Sequence, residues 1–138
     1  MSDTLDMCIA SRLTELDRVR LAVETFLQGQ GVAGRPIYHI LLALDELITN
    51  IISYGYRDAD EHLIRLTLTR RPDLVDILLI DDAMPFNPLD APEPDTTAAL
   101  EDRRIGGLGI HFVRKIMDFA AYERRGGNNI LRLAKKTT

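Results

Sequence analysis

Apolar residues recur along the chain with a period near two in some stretches and near 3.6 in others, and the switches between them mark the elements. Residues from about Leu5 to Ala10 alternate loosely and predict a first strand, with Cys8 in it as a small buried hydrophobe rather than a reactive thiol. From Leu13 the positions Leu13, Leu16, Val19, Val23, Phe26 and Leu27 recur at helical spacing, until Gly29, Gly31 and Gly34 stop the run. Pro36 stands where a first-turn proline is tolerated. Beyond it Ile37, Leu41, Leu44, Ile48, Ile51 and Ile52 mark the core stripe of a second helix ending near Gly55. A different stripe on that helix, His39, Ala43, Glu46, Asn50, Ser53 and Arg57, steps by four and three and so shares one face. Its polar members need solvent, a partner or a ligand.

After turn signals at Asp58 to Asp60, the segment His62 to Thr69 alternates as a half-buried strand does. Arg71-Pro72-Asp73 makes a turn, and Leu74 to Ile80 is more continuously apolar, as suits a sheet centre. That strand runs straight into Asp81-Asp82, which puts two acids at a sheet rim, where ligand clefts of layered folds open. From Ala83 to about Ile105 no strand or helix of normal length is legible beyond one helical turn at Thr97 to Asp102, and Pro85, Pro88, Pro92 and Pro94 punctuate the stretch. A connection that long inside a compact domain is usually a lid, a binding loop or disordered. Gly106-Gly107-Leu108-Gly109 then opens into an amphipathic helix with Ile110, Val113, Ile116 and Met117 inward. Two last strands, about Phe119 to Arg124 and Ile130 to Ala134, flank the turn Gly126-Gly127-Asn128-Asn129.

Composition narrows the class. With 138 residues the chain reads as one globular domain able to bury its own core without a disulfide or structural metal. A single Cys makes no internal bridge and no Cys-rich zinc site, and His39, His62 and His111 lack the spacing of paired ligands. Seventeen basic against 21 acidic residues give a net charge of −4, which argues against nucleic acid held by bulk charge. The acidic start Met1-Ser2-Asp3-Thr4-Leu5-Asp6 is unlike a signal peptide, and no window approaches about 20 uninterrupted apolar residues. The expectation is a soluble, cytoplasmic protein.

Glu46 and Asn50 lie four apart on one helical face and can converge on one ligand. A carboxylate can orient or deprotonate a hydroxyl, and a carboxamide oxygen suits a hard cation such as magnesium. Glycines before a helix let backbone approach a phosphate beside the positive end of the helix dipole. Each signal alone is weak, since a polar helix face, a strand-end acid and a glycine-rich turn all have structural explanations. Their order is more specific: an acidic and amide helix pair, a strand ending in Asp, a long loop, then a glycine-rich helix start.

That order resembles the GHKL-type (Bergerat) ATP-binding fold of histidine kinases and gyrase, and within it the small anti-sigma serine kinases of bacterial partner-switching. Leu44-Asp45-Glu46-Leu47-Ile48-Thr49-Asn50 matches the N box. Asp81-Asp82-Ala83-Met84-Pro85-Phe86-Asn87-Pro88 matches the first glycine box, and Gly106-Gly107-Leu108-Gly109-Ile110-His111-Phe112-Val113 the second. The resemblance implies an α+β fold: a two-layer sandwich with helices on one face of a mixed, mostly antiparallel sheet of about five strands. It implies Glu46 as general base toward a protein serine, Asn50 as magnesium ligand, and Asp81 as acceptor for the adenine amino group. Ala83, Phe86, Gly106, Gly107, Leu108 and Gly109 would join the ATP site, under a lid at 83–105 that offers Arg103 or Arg104 to the γ-phosphate. The implied partners are an STAS-type anti-anti-sigma protein as substrate, a sigma factor, and a second copy of the chain through the exposed sheet face or the first helix. The family normally has Gly at position 83, where an added Cβ would crowd the adenine side if the backbone needed a glycine conformation. It also often has His where Tyr54 stands. An alternative reading keeps the fold as a nucleotide-gated or nucleotide-independent binding module without kinase activity.

Overall fold

The computed structural model describes residues 3–90 and 107–138. In chain order the elements are β1 (Thr4–Ala10), α1 (Leu16–Gly29), α2 (Gly34–Tyr54), β2 (Leu63–Arg70), β3 (Leu74–Asp81), α3 (Gly107–Ile116), β4 (Phe119–Arg125) and β5 (Asn128–Lys136). Short 3₁₀ turns at Leu13–Glu15 and Pro88–Asp90 precede α1 and follow β3. The strands form one five-stranded sheet in the order β1-β2-β3-β5-β4. All four pairings are antiparallel, so the expected mixed sheet has no parallel pair among the described residues.

The period-two pattern decides which sheet face is covered. Met7 and Ile9, Ile64, Leu66 and Leu68, Val75, Ile77 and Leu79, and Leu131 and Leu133 are all buried in one core with the helices. α1 contributes Val19, Val23 and Leu27, one residue every four positions. α2 packs against both α1 and α3, so its buried face is broader than the six-residue stripe read from the sequence. Ile40, Ala43 and Leu47 are buried in it, while Leu41, Ile51 and Ile52 are only half-buried. By length and apolar composition α2 would pass for a membrane-crossing helix, and its apolar side is instead part of this core. Ile48, with no exposure, is a position where truncation to Ala would cost about 2–5 kcal/mol.

Two expectations change. Leu13 is 52% exposed in the 3₁₀ turn, because the extended backbone at Arg12 delays the start of α1 to Leu16. Cys8 is exposed: Met7 and Ile9 take the core side of β1, and strand alternation leaves Cys8 on the opposite face.

Asp81 pairs with Asn129 across β3 and β5, and the β4–β5 hairpin is closed by Arg125 and Asn128. Between those two, Gly126 and Gly127 both have positive φ, 56° and 81°, as a two-residue type I′ hairpin demands. This turn fixes the register that brings Asn129 to Asp81.

Candidate functional site

The second half of α2, the end of β3, the segment after it and the β4–β5 hairpin enclose a cavity of about 230 Å³. Leu47, Ile51, Leu79 and Leu131 give it apolar walls, suited to a flat ring, and Asn50, Asp81 and Asn129 bring polar groups to it. Four of the residues expected at the ATP site, Asn50, Asp81, Ala83 and Phe86, line this one cavity. Glu46 does not line it. It sits one turn before Asn50 on the same side of α2, about 6 Å along the axis.

Asp81 is only 5% exposed. Its Oδ1 accepts from the Ala83 amide at 3.0 Å and from Asn129 Nδ2 at 2.8 Å. Burial pushes its carboxyl above the usual value, and the hydrogen bonds from Asn129 and Ala83 oppose that rise. Glu46, half-buried, is likewise raised, first by burial and then by the neighbouring Asp45 carboxylate. Asp45 in turn lies 3.4 Å from the Arg20 guanidinium of α1.

Ala83 does not close the cavity. No described residue other than glycine has a positive φ, so Ala83 holds an ordinary backbone conformation that tolerates a Cβ. Its methyl faces Gly55: a Cβ built at Gly55 would come within 2.8 Å of Ala83 Cβ and 2.6 Å of the Ile51 carbonyl oxygen. The bare glycine makes the room, and the Met84 amide donates to the Gly55 carbonyl at 3.0 Å.

Tyr54 is 37% exposed and lines the cavity. Tyr56 stands outside it, stacked on His62 with ring centroids 4.0 Å apart and planes 8° from parallel. The Tyr56 hydroxyl donates to Asp82 at 2.8 Å, and His62 contacts Asp58 at 2.8 Å and Asp82 at 3.4 Å. The loop after α2 is thereby fastened to the end of β3.

No group of three or more His, Cys, Asp or Glu able to hold a metal exists among the described residues. Asn50, whose carboxamide oxygen is a donor suited to a hard cation, lines the cavity. Gly107, Leu108 and Gly109 form the first turn of α3, at the N-terminus that the glycine-box reading assigns to phosphates. Arg103, Arg104, Gly106 and the lid from 91 onward lie outside the described residues. Missed by the motif reading were Gly55, Tyr122, Arg124 and Asn129. Only the β3–β5 register, which places Asn129 opposite Asp81, could have found the last of these.

The fold and the cavity define a ligand pocket with apolar walls on an α+β sandwich, and comparison with known proteins gives the class. Residues 9–135 match the histidine kinase-like ATPase domain, and the chain belongs to that family. It is 30% identical over 101 residues to the serine/threonine-protein kinase BtrW of Bordetella bronchiseptica, across 73% of this chain and 71% of that protein. To the anti-sigma F factor of Clostridium beijerinckii it is 24% identical over 117 residues, across 85% of this chain and 82% of that one. The structure of the RsbU and RsbW domains of Rv1364c from Mycobacterium tuberculosis superposes with a TM-score of 0.67 at 14% identity, over 96% of this chain and 31% of that one. That likeness is one of fold.

Proposed function

We propose that the protein is an ATP-dependent serine-protein kinase that acts as an anti-sigma regulatory factor and phosphorylates an STAS-type anti-anti-sigma protein. One observation carries the reading: Asn50, Asp81, Ala83 and Phe86 meet at one cavity, with Glu46 a turn away on the same side of α2. The relatives named as a serine/threonine kinase and as an anti-sigma factor support it.

In this reading the adenine ring enters between the apolar walls, and Asp81 accepts a hydrogen bond from its amino group. Asn50 holds magnesium, which when bound neutralises charge on the phosphates. The first-turn amides of α3 at Gly107 to Gly109 face the phosphates, joined by Arg104 and Gly106. Glu46 accepts the proton of the substrate serine hydroxyl as the oxygen attacks the γ-phosphorus and ADP leaves. Its raised pKa moves it toward the working pH, which favours proton transfer. A sigma factor is the binding partner whose release the phosphorylation of the STAS protein controls. The protein works in the cytoplasm, where those partners act, as a homodimer joined through the uncovered sheet face.

The test is transfer of labelled phosphate from ATP to purified STAS-type proteins. Glu46→Gln should lower kcat by about 10²–10⁴ while ATP affinity stays within about twofold. The wild-type rate should also fall with acid as Glu46 takes up its proton, at a pH above the ordinary glutamate range. Absence of transfer by the wild type, or equal rates for the variant, would overturn the kinase reading.

A further inference from the structure

Asn129 belongs to none of the three motifs, yet it is 6% exposed on the wall of the cavity that Asp81 lines. Its carboxamide is engaged at both ends. Nδ2 donates to Asp81 Oδ1 at 2.8 Å and to the Met84 carbonyl at 2.9 Å. Oδ1 accepts from the Phe86 amide at 3.3 Å and from the Tyr122 hydroxyl. Acceptors stand on one side of the group and donors on the other, so the neighbours dictate which end is nitrogen. A carboxylate there would set oxygen against the Asp81 carboxylate, and an aliphatic side chain would strip a partner from every neighbour.

The consequence falls on Asp81. The described hydrogen bonds to it all land on Oδ1, which leaves Oδ2 as the oxygen it can offer a base. A positive charge stands close by as well: Arg124 Nη1 donates to the Ala83 carbonyl at 2.8 Å. Held this way, Asp81 presents an acceptor. A 6-aminopurine answers with a donor, whereas a 6-oxopurine in the same pose brings a second acceptor against the first and must shift its ring to offer N1–H instead.

We propose that Asn129 is a positioning residue for base identity: by donating to Asp81 Oδ1 it holds Asp81 as an acceptor and commits the cavity to 6-aminopurine nucleotides over 6-oxopurine ones. The inference rests on the nucleotide-binding reading above. A residue that merely supported the fold would, when changed, weaken all nucleotides alike, so the informative readout is the ratio between two of them. Asn129→Asp keeps the shape and reverses the chemistry, because two carboxylates this close share a proton and that proton can be donated to a 6-oxo group.

The experiment is calorimetric titration of ATP and inosine triphosphate into the full chain between pH 6 and 8.5, for the wild type, Asn129→Asp and Tyr122→Phe, with a thermal melt of each. The wild type should prefer ATP by about 10²-fold or more at every pH. In Asn129→Asp that preference should fall by at least about tenfold, and further toward pH 6, where the shared proton is held. A folded Asn129→Asp with the wild-type ratio throughout would overturn the proposal, as would a wild type that binds the two nucleotides equally. Should Asn129→Asp not fold, Tyr122→Phe decides: removing one of the two donors to the carboxamide oxygen should lower the ratio by about threefold, and an unchanged ratio refutes the role. A wild type that binds neither nucleotide would instead defeat the nucleotide-binding reading, and this inference with it.

Discussion

A methyl group at position 83 and its absence at position 55 are two halves of one packing arrangement. The side chain that a family comparison flags as an intrusion is accommodated by a glycine 28 residues earlier, at the end of α2. Gly55→Ala should therefore destabilise the fold by about 1–3 kcal/mol in urea unfolding and weaken ATP binding, since the new Cβ meets Ala83 and the Ile51 carbonyl. Adding Ala83→Gly should recover part of the loss, the part due to methyl against methyl, and leave the part due to the Ile51 carbonyl. Strict additivity of the two changes would show that the residues do not share this space.

Among the elements, the loop between α2 and β2 is tied down by ring stacking and charge rather than by apolar burial. His62 lies above its ordinary value of 6.5, chiefly through its hydrogen bond to Asp58; desolvation opposes the rise, and the hydrogen bond to Asp82 adds to it. Asp58 is held low, chiefly by the hydrogen bond with His62. For Asp82 burial acts upward, and the hydrogen bonds with Tyr56 and His62 outweigh it and bring the carboxyl below its usual value. The signs follow from linkage. The histidine contribution is full below its unfolded value near 6.5 and is lost as pH rises through the higher folded value. The carboxylate contributions are present above about 3.8 and lost as pH falls through the lower folded values. The cluster is strongest between those limits. Thermal melts from pH 5 to 9 should show the wild type losing more stability above pH 6.5 than His62→Gln does; parallel curves would remove His62 from the account. Strands and helices were legible in the sequence to within about a turn, because their periods follow from burial on one face. The cluster was not, since Tyr56, Asp58, His62 and Asp82 sit in loops and at element ends, where no period constrains them. For the candidate site, the N box and the first glycine box pointed to Asn50 and Asp81, which line the cavity, and to Glu46, which stands a helical turn from it. Asn129 stayed hidden as a turn residue because its partners lie up to 48 positions away and only strand pairing joins them.

For the molecule as a whole, the covered and uncovered faces of the sheet divide the work. Helices bury one face; on the other, Thr67, Leu78, Arg132 and Ala121 form one cross-strand row, with Phe119 54% exposed in the row beside it. That face carries the proposed contact between two copies. Leu78→Arg places a charge at its centre and should lower the self-association constant at least about tenfold in sedimentation velocity, with an unchanged melt. A wild type that sediments as a monomer at all concentrations would exclude the dimer. The strand order has a further effect on how the protein is made. β5, although synthesised after β4, is inserted between β4 and β3. On the ribosome, β3 must wait with one edge open while the 48 residues from Asp81 to Asn129 are added, roughly 2 to 10 s at about 5–20 residues per second. Throughout that interval the nascent chain carries Asp81 without the Asn129 amide that donates to it. The cavity therefore lacks its β5 wall until β5 has left the exit tunnel, so a molecule that binds there can reward the completed sheet but cannot template it.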